Sequence, residues 1–205
     1  YKIPEKKITV CYQSCNPAFG DKVSEEEKKK IKEEYDLPEQ FFLYVGSVIE
    51  RKNLLNICKA LFLLRNELEI PLVVIGDGGK YKQQVKDFIT QNGLQSKVIF
   101  LSEHEKARTS PSFRSAKVFP AIYQSAIAMI YPSFFELFGI LVLEALWSRL
   151  PVITSSVSCL PEAGGAGAYY VNPGSAEEIA SGMKKIYSDK EVAATLKEKG
   201  WQHAQ

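Results

Sequence analysis

The segment AIAMIYPSFFELFGILVLEAL, residues 126–146, carries the clearest structural pattern in this chain of 205 residues. Its first part, residues 126–131, is apolar and predicts a buried strand, which a Pro-Ser dipeptide ends. An aromatic loop with one glycine follows, and a second apolar run predicts a helix that begins near Gly139 or Ile140. The segment therefore predicts a strand, a loop and a helix in direct succession.

Two carboxylates interrupt this apolar segment, Glu136 in the loop and Glu144 inside the helix. Burial of Glu144 is costly unless a polar group meets it. The turn before the helix presents unpaired backbone N–H groups and the positive end of a helix dipole, which favour a phosphate. A nucleoside diphosphate, with phosphates at one end and ribose hydroxyls near Glu144, satisfies both requirements. The alternative is an ordinary surface position, the commonest place for a glutamate.

Apolar runs alternate with helical patterns along most of the chain. Nearly continuous apolar strands between helices are typical of a parallel sheet that helices cover on both faces. The sequence thus predicts an α/β, Rossmann-like domain, in which ligands bind beyond the carboxyl ends of the strands. The predicted strands are 8–12, 41–45, 72–75, 98–101, 126–131 and 152–154, and the predicted helices are 24–35, 53–66, 80–91, 140–148 and 176–188.

Several local signals refine this pattern. Ser24 followed by Glu27 predicts a capping box at the start of the first helix, and Asn53 is a favourable N-cap for the second. The GDGG run at 76–79 favours a tight strand-to-helix turn over a phosphate cradle. The polar segment 103–116 predicts a mobile loop insertion.

Composition excludes several classes of protein. The chain is 45% hydrophobic and 24% charged, which predicts one globular domain, and its net charge of +2 gives no reason to expect nucleic acid as a partner. No apolar run reaches the roughly 18–20 residues that span a bilayer. A zinc site is disfavoured because only one loose cysteine pair is present. Reduced core cysteines of a cytoplasmic protein are the better interpretation of Cys11, Cys15, Cys58 and Cys159.

Four motifs, in order, resemble those of the retaining glycosyltransferases of family 4, which have the two-domain GT-B fold. The segment at 136–144 is similar to the E-x7-E motif of that family, and YVGSVIERKN at 44–53 to its G-[ST]-x-x-x-R-K-N segment. LPVITS at 150–155 is similar to the next strand of the family, and LPEAGG at 160–165 to its L-P-E-x-x-G turn. The resemblance implies one Rossmann-like half of a GT-B fold.

The resemblance also implies an activity, the transfer of a sugar from a nucleotide diphosphate sugar to an acceptor, with retention. Arg51 and Lys52 match the basic residues that neutralise the leaving diphosphate. Their position supports this role, because cations beside a helix N-terminus are unfavourable unless an anion lies between them and the helix. The alternative is a solvated pair beside Glu50. No Asp-x-Asp motif is present, so no cofactor and no essential metal are expected.

The two acids of the motif match residues with different roles in the resembling family. Glu144 matches the residue that binds the ribose hydroxyls of the donor. Glu136 matches a residue near the donor sugar, and it is expected to steady a developing oxocarbenium ion or to hold the loop, not to act as an established nucleophile. Further donor contacts are implied for Gly46, Ser47, Ser102, Phe138, Gly139, Ile140 and Leu141.

The resemblance also divides the chain. Residues 1–7 resemble an interdomain linker, residues 8–190 the nucleotide-sugar-binding domain, and residues 191–205 the start of a truncated C-terminal helical region. An N-terminal half outside this chain is expected to bind a saccharide or lipid-linked acceptor. We expect a role in polysaccharide or glycoconjugate biosynthesis in the cytoplasm, with peripheral association of the full-length protein at the inner face of the membrane.

Two other functions fit the same residues. A nucleotide-sugar epimerase can share the GT-B architecture, and it would act on the donor without an acceptor. A non-catalytic nucleotide-binding module is the second alternative, because the chain lacks an acceptor domain. A second Rossmann-like domain upstream in the parent protein favours an enzyme over such a module.

Overall fold

In residues 3–9 and 11–205, which the computed structural model describes, six strands form one parallel sheet. The strands are β1 Phe42–Val45, β2 Leu72–Ile75, β3 Val98–Phe100, β4 Met129–Tyr131, β5 Val152–Ser155 and β6 Ala168–Val171. Their order across the sheet is β3-β2-β1-β4-β5-β6, so the chain winds outward in two directions from the β1–β4 pair. This is the strand order of a doubly wound Rossmann fold, and it confirms the predicted fold class.

Helices connect the strands and cover both faces of the sheet. The helices of the described residues are α1 Glu25–Glu34, α2 Leu54–Leu63, α3 Lys80–Gln91, α4 Glu105–Thr109, α5 Pro111–Arg114, α6 Phe119–Ser125, α7 Ile140–Trp147, α8 Leu160–Gly164, α9 Ala176–Ser188 and α10 Lys190–Ala204. Short 3-10 turns lie at Glu5–Lys7, Pro17–Phe19, Glu50–Lys52, Leu101–Glu103 and Gly165–Gly167.

The central strands send alternate side chains into two separate cores. Leu43 and Val45 of β1 belong to the core beneath α1, α6, α7 and α8, whereas Phe42 and Tyr44 belong to the core beneath α2, α3 and α9. All four side chains are buried. Because both faces are covered, the central strands are apolar throughout and show no alternation of polar and apolar residues.

Two of the predicted helix caps have different outcomes. The Oγ atom of Ser24 accepts the Glu27 N–H at 3.1 Å, as the capping box predicts. Asn53 occupies the N-cap position of α2 but does not cap it, because its backbone is left-handed with φ of +66°. Its side-chain amide donates instead to the carbonyl groups of Pro132 at 2.9 Å and Pro173 at 2.7 Å. Asn53 thus ties α2 to the loops that follow β4 and β6.

The strand predicted at residues 8–12 is wrong for the part that the structure describes. Residues 8, 9, 11 and 12 have no strand conformation, and Val10 lies outside the described residues. Ile8 and Tyr12 are 57% and 69% exposed, so their β propensity finds no sheet edge and no core to pack against. Strand β6 was not predicted, because it directly follows the glycine-rich run at 164–167, which is typical of a turn.

The predicted loop at 103–116 is also wrong, because most of this segment is helical. It forms α4 and α5, and Ala107 and Phe113 are buried there. The Phe113 ring lies 5.4 Å from the ring of Tyr35, and the Tyr35 hydroxyl is 2.8 Å from Ser110 Oγ. Two apolar side chains therefore anchor an otherwise polar segment to the body of the domain.

Helix α10 packs across α7 and the turn at Gly165–Gly167. The rings of Trp147 and Trp201 meet edge to face at 5.8 Å, and the backbone of Gly200 lies against that of Gly167. Among residues 3–9 and 11–205, no helix has the length and hydropathy to cross a membrane.

We predict that Asn53→Ala lowers the free energy of unfolding by about 2–4 kcal/mol. The variant leaves the buried Pro132 carbonyl without its side-chain donor and removes one of the two donors to the Pro173 carbonyl. It also places an alanine in the left-handed region. Asn53→Gly loses the same hydrogen bonds but adopts the backbone freely, so its loss should be smaller by about 1 kcal/mol. Urea denaturation monitored by circular dichroism measures both values.

The control for this prediction is Asn56→Ala. Asn56 donates a single bond to Pro173, at 3.0 Å, from an ordinary helical position. Its replacement should cost about 1 kcal/mol or less. Equal losses for the three variants would show that Asn53 has no special part in joining the loops.

Candidate functional site

The candidate site lies at the carboxyl ends of β1 and β4, where the strand order reverses. The two strands are neighbours, with Leu43 opposite Met129, and their connections run toward opposite edges of the sheet. A crevice forms at such a switch point, and open α/β sheets bind their ligands there. Gly46 and Ser47, both predicted donor contacts, directly follow β1.

The loops that follow β1 and β2 lie in direct backbone contact. The Gly46 N–H donates to the Ile75 carbonyl at 2.9 Å. A Cβ atom on Gly76 would lie 1.9 Å from the Gly46 carbonyl oxygen, and one on Gly78 would lie 2.1 Å from that of Val48. The glycines therefore serve a close approach of two loops, in agreement with the tight turn predicted for this run.

The turn at Glu50–Lys52 directs two cations toward one carboxylate. Arg51 Nη1 lies 2.8 Å from Glu136 Oε2, and Lys52 Nζ lies 3.6 Å from Glu136 Oε1. The side chain of Arg51 is 39% exposed, whereas those of Lys52 and Glu136 are 11% and 10% exposed. The structure thus brings together the three residues that were predicted to be catalytic, with the guanidinium group as the part open to solvent.

Two hydroxyl groups complete the surroundings of the Glu136 carboxylate. The Tyr131 hydroxyl donates to Oε1 at 2.7 Å and accepts from Lys52 Nζ at 2.6 Å. Ser133 Oγ donates to the same carboxylate oxygen at 3.0 Å. Sequence reasoning missed both residues, although a tyrosine at the end of an apolar strand is a signal that a hydroxyl is needed there.

These contacts shift the pKa values of the charged groups. Burial alone would raise the pKa of Glu136, but the bonds from Tyr131 and Arg51 outweigh it and lower the pKa below its ordinary value. The bond to Glu136 raises the pKa of Arg51. Burial lowers the pKa of Lys52, and attraction to Glu136 offsets only part of this effect. A carboxylate with this pKa is ionised at neutral pH.

The backbone of Glu136 is held by the residues that follow β5. Ser158 Oγ donates to the Glu136 carbonyl and lies 3.4 Å from the Glu136 nitrogen, while Cys159 Sγ donates to the same carbonyl at 3.2 Å. Ser158 has a φ of +59°, an uncommon backbone conformation for a residue other than glycine. Sequence reasoning missed Ser158, because a serine gives no signal that its backbone is left-handed.

The four thiols are free, but only two of them match the predicted core position. Cys15 and Cys58 are buried, whereas Cys11 is exposed and Cys159 is half-buried beside the Glu136 loop. Burial raises the pKa of Cys15 to about 11 and that of Cys58 to about 12, so both are protonated at neutral pH.

Helix α7 begins at the rim of the crevice. Gly139 precedes it with φ of +88°, a conformation that glycine adopts without strain. Ile140 is exposed, and Phe138 and Leu141 are half-buried. The Val142 N–H donates to the Gly139 carbonyl at 2.9 Å, whereas the N–H groups of Ile140 and Leu141 have no backbone acceptor among the described residues. This end of the helix therefore presents two donors of the kind that an anion requires.

Glu144 lies in α7, in a different environment from Glu136. Its carboxylate accepts a hydrogen bond from the Tyr123 hydroxyl at 2.8 Å. Burial raises the pKa of Glu144, and the bond from Tyr123 opposes this shift only in part. No lysine, arginine or histidine of the described residues forms an ion pair with it. The helix therefore carries a half-buried acid that is paired with a neutral hydroxyl alone.

The two predicted serines shape the loops around the crevice. Ser102 lies just after β3, where its Oγ accepts the Gly76 N–H at 2.9 Å and so joins the β3 and β2 loops. Ser47 is exposed, and its carbonyl accepts a bond from the Tyr44 hydroxyl at 2.9 Å. Across residues 3–9 and 11–205, no group of three or more His, Cys, Asp or Glu side chains is arranged to hold a metal ion.

Comparison with known proteins agrees with this architecture. The chain is 30% identical to the O-antigen chain mannosyltransferase RfbU of Salmonella typhimurium over 186 residues, which are 91% of this chain and 46% of that protein. The chain therefore spans about half the length of this relative, and it covers 47% of a second one, a glycosyltransferase of Methanocaldococcus jannaschii.

Two solved structures have the same fold. A glycosyltransferase from Rickettsia africae superposes with a TM-score of 0.83 at 22% identity, over 99% of this chain and 53% of that one. Anabaena HepE in complex with UDP-glucose superposes with a TM-score of 0.80 at 19% identity, over 96% of this chain and 52% of that one. The fold is therefore that of one half of a GT-B glycosyltransferase.

The family follows from a match that covers most of the domain. Residues 25–203 match the family described as glycosyl transferases group 1, and this range contains all six strands and the site residues described above. The chain belongs to the glycosyl transferases of group 1.

Proposed function

We propose that this chain is the donor-binding domain of a retaining glycosyltransferase, and that its crevice binds the diphosphate of a nucleotide diphosphate sugar. The observation that carries the proposal is the convergence of Arg51 and Lys52 on Glu136 at the β1–β4 switch point. The start of α7 follows Glu136 by four residues and adds backbone donors on the same loop. Cationic side chains and backbone N–H donors both stabilise a bound diphosphate.

Arg51 and Lys52 neutralise the negative charge that develops on the departing diphosphate. The half-exposed guanidinium group offers a fork of donors to phosphate oxygens, and the buried ammonium group supplies a fixed point charge beneath it. Positioned charges of this kind stabilise a leaving group without reorganisation at the moment of reaction. On this proposal the enzyme needs no divalent metal.

Glu136 acts on the donor sugar by electrostatics and not as a nucleophile. Both of its carboxylate oxygens already accept hydrogen bonds, from Arg51 on one side and from Tyr131 and Ser133 on the other. Such a carboxylate is stabilised as an anion and is a poor attacking group. It is suited to steady positive charge that develops on the sugar during transfer.

Glu144 binds the ribose hydroxyls. A diol offers two neutral donors to a carboxylate whose side-chain donor among the described residues is the Tyr123 hydroxyl. The raised pKa of Glu144 indicates that the ionised form is under-stabilised before the ligand arrives. Binding of the ribose would supply the missing hydrogen bonds.

The acceptor belongs to another part of the enzyme. We propose that residues 8–190 form the donor domain, that residues 1–7 belong to the interdomain linker, and that residues 191–205 begin a C-terminal helical region. A saccharide or lipid-linked acceptor then binds to an N-terminal domain, in polysaccharide or glycoconjugate biosynthesis. The full-length enzyme works in the cytoplasm, with peripheral association at the inner face of the membrane.

The first test is calorimetric titration of the chain with UDP, GDP and ADP. We expect one of the three to bind, and we expect the Arg51→Ala/Lys52→Ala variant to bind at least about 100-fold more weakly, since two charged contacts to phosphate are lost. The control is Lys59→Ala/Arg65→Ala, which removes the same charge from exposed positions on and just after α2. Unchanged binding in the site variant, or an equal loss of binding in the control, would contradict the proposal.

A second test concerns the environment of Glu144. We expect Glu144→Gln to weaken nucleotide binding by about 1–2 kcal/mol, because a charged hydrogen bond becomes a neutral one. We also expect it to stabilise the unliganded chain at neutral pH. The contribution of Glu144 to wild-type stability is fully present below its unfolded pKa and is lost as the pH rises through its raised folded pKa.

The stability gap between Glu144→Gln and wild type should therefore widen as the pH rises through the folded pKa of Glu144 and stay constant above it. Urea denaturation across a series of pH values measures this gap, and Glu26→Gln, an exposed position on α1, serves as the control. A difference in the free energy of unfolding that does not change with pH would mean that burial does not destabilise the ionised form of Glu144.

The third test concerns the metal. We expect the full-length enzyme to retain most of its transferase activity in excess EDTA, because Arg51 and Lys52 supply the positive charge that a divalent ion would otherwise provide. Complete loss of activity, restored by added Mg²⁺ or Mn²⁺, would refute a metal-independent mechanism.

A further inference from the structure

The cations of the candidate site are already paired with an anion of the chain itself. Arg51 and Lys52 both form ion pairs with Glu136, at 2.8 and 3.6 Å. Within residues 3–9 and 11–205, no other carboxylate lies within ion-pair distance of either cation. A phosphate that binds these cations therefore lies next to the Glu136 carboxylate and competes with it for their positive charge.

Glu136 cannot move far when a phosphate arrives. Its backbone carbonyl is held by Ser158 and Cys159, and its Oε1 atom accepts bonds from Tyr131 and Ser133 that involve no ligand. Its side chain is 10% exposed, so water has little access to it. An incoming phosphate thus takes the Arg51 contact from Oε2 and leaves that oxygen close to the ligand, without a charged donor.

The ligand decides whether this oxygen regains a donor. In a nucleotide diphosphate sugar, the sugar is bonded directly to the terminal phosphate, so its hydroxyls lie within a few bonds of the group that displaces Glu136. A hydroxyl donates well to a carboxylate. A free nucleoside diphosphate brings a bare phosphate oxygen to the same place, and this oxygen repels the carboxylate.

We propose that Glu136 is a specificity-determining residue that favours the sugar-bearing donor over the sugar-free nucleoside diphosphate. This inference rests on the proposed function, because it requires a diphosphate at Arg51 and Lys52. When the nucleotide sugar binds, a sugar hydroxyl replaces Arg51 as the partner of Glu136. When the nucleoside diphosphate binds, a negatively charged phosphate oxygen takes that place. The Glu136 carboxylate therefore contacts the donor sugar and also weakens the binding of the nucleoside diphosphate product.

The test compares three pairs of probes by calorimetry on the chain, namely UDP with UDP-glucose, GDP with GDP-mannose and ADP with ADP-glucose. For the pair that binds, Glu136→Gln should lower the Kd of the nucleoside diphosphate by about fivefold or more, since an ion pair no longer has to be displaced. The Kd of the nucleotide sugar should fall less or rise. The preference of the chain for the nucleotide sugar over the nucleoside diphosphate, measured as the ratio of the two Kd values, should therefore decrease.

Two further variants separate this effect from a simple change of charge. Glu50→Gln removes an equal charge from an exposed residue next to Arg51 that has no ion pair with either cation. Its ratio of Kd values should stay within about twofold of wild type, because exposed charges act weakly. Glu136→Asp keeps the charge but withdraws it by one methylene group, and it should shift the ratio in the same direction as Glu136→Gln.

The outcomes are distinct. An unchanged ratio in both Glu136 variants, or an equal shift in Glu50→Gln, would overturn the inference while leaving the donor site in place. Failure of the wild-type chain to bind any of the six probes would overturn the proposed function and this inference with it. Circular dichroism and urea denaturation establish that each variant is folded, and Glu136→Asp carries the test if Glu136→Gln is not.

Discussion

The structure around the crevice depends on the burial of one carboxylate between two cations. Glu136 belongs to the loop after β4, and Arg51 and Lys52 belong to the turn before α2, so their ion pairs join the two halves of the sheet at the point where the strand order reverses. A buried ion pair adds little net stability unless all its hydrogen-bonding groups are satisfied. Tyr131 and Ser133 meet that condition here. The cluster is thus a fixed arrangement of charge, held in place before any ligand arrives.

The two acids of the E-x7-E segment have opposite electrostatic environments. Glu136 has donors on both oxygens and a lowered pKa, whereas Glu144 has one neutral donor and a raised pKa. When environments push the pKa values of two acids apart, they usually mark different roles. Here the first acid is held ready as an anion, and the second lacks the hydrogen bonds that would fully stabilise its charge. Seven residues separate them in sequence, and the start of α7 lies between them.

The sequence predicted the fold and the members of the charge cluster, because both depend on patterns that are local in the chain. Buried parallel strands are apolar runs, and the RK pair and the FFELFG loop each begin within six residues of the end of such a strand. Side-chain partners from distant segments were not predictable. Ser158 reaches Glu136 from a loop 22 residues away, and Asn53 bonds to carbonyls 79 and 120 residues away. The helical segment at 105–114 was mistaken for a loop, because the packing of Phe113 against Tyr35, from a distant part of the sequence, cannot be seen in the local pattern.

The glycine contacts between the β1 and β2 loops divide the rim of the crevice into fixed and adaptable positions. A methyl group at Gly76 or Gly78 would meet a backbone oxygen at about half the normal contact distance, and a backbone cannot rotate away as a side chain can. We therefore expect substitutions at Gly76 and Gly78 to be poorly tolerated. Changes in ligand preference would have to arise at exposed residues of the neighbouring loops such as Ser47 and Leu137, where a new side chain displaces only solvent. A mutant library for this site should therefore keep Gly76 and Gly78 and vary the exposed positions.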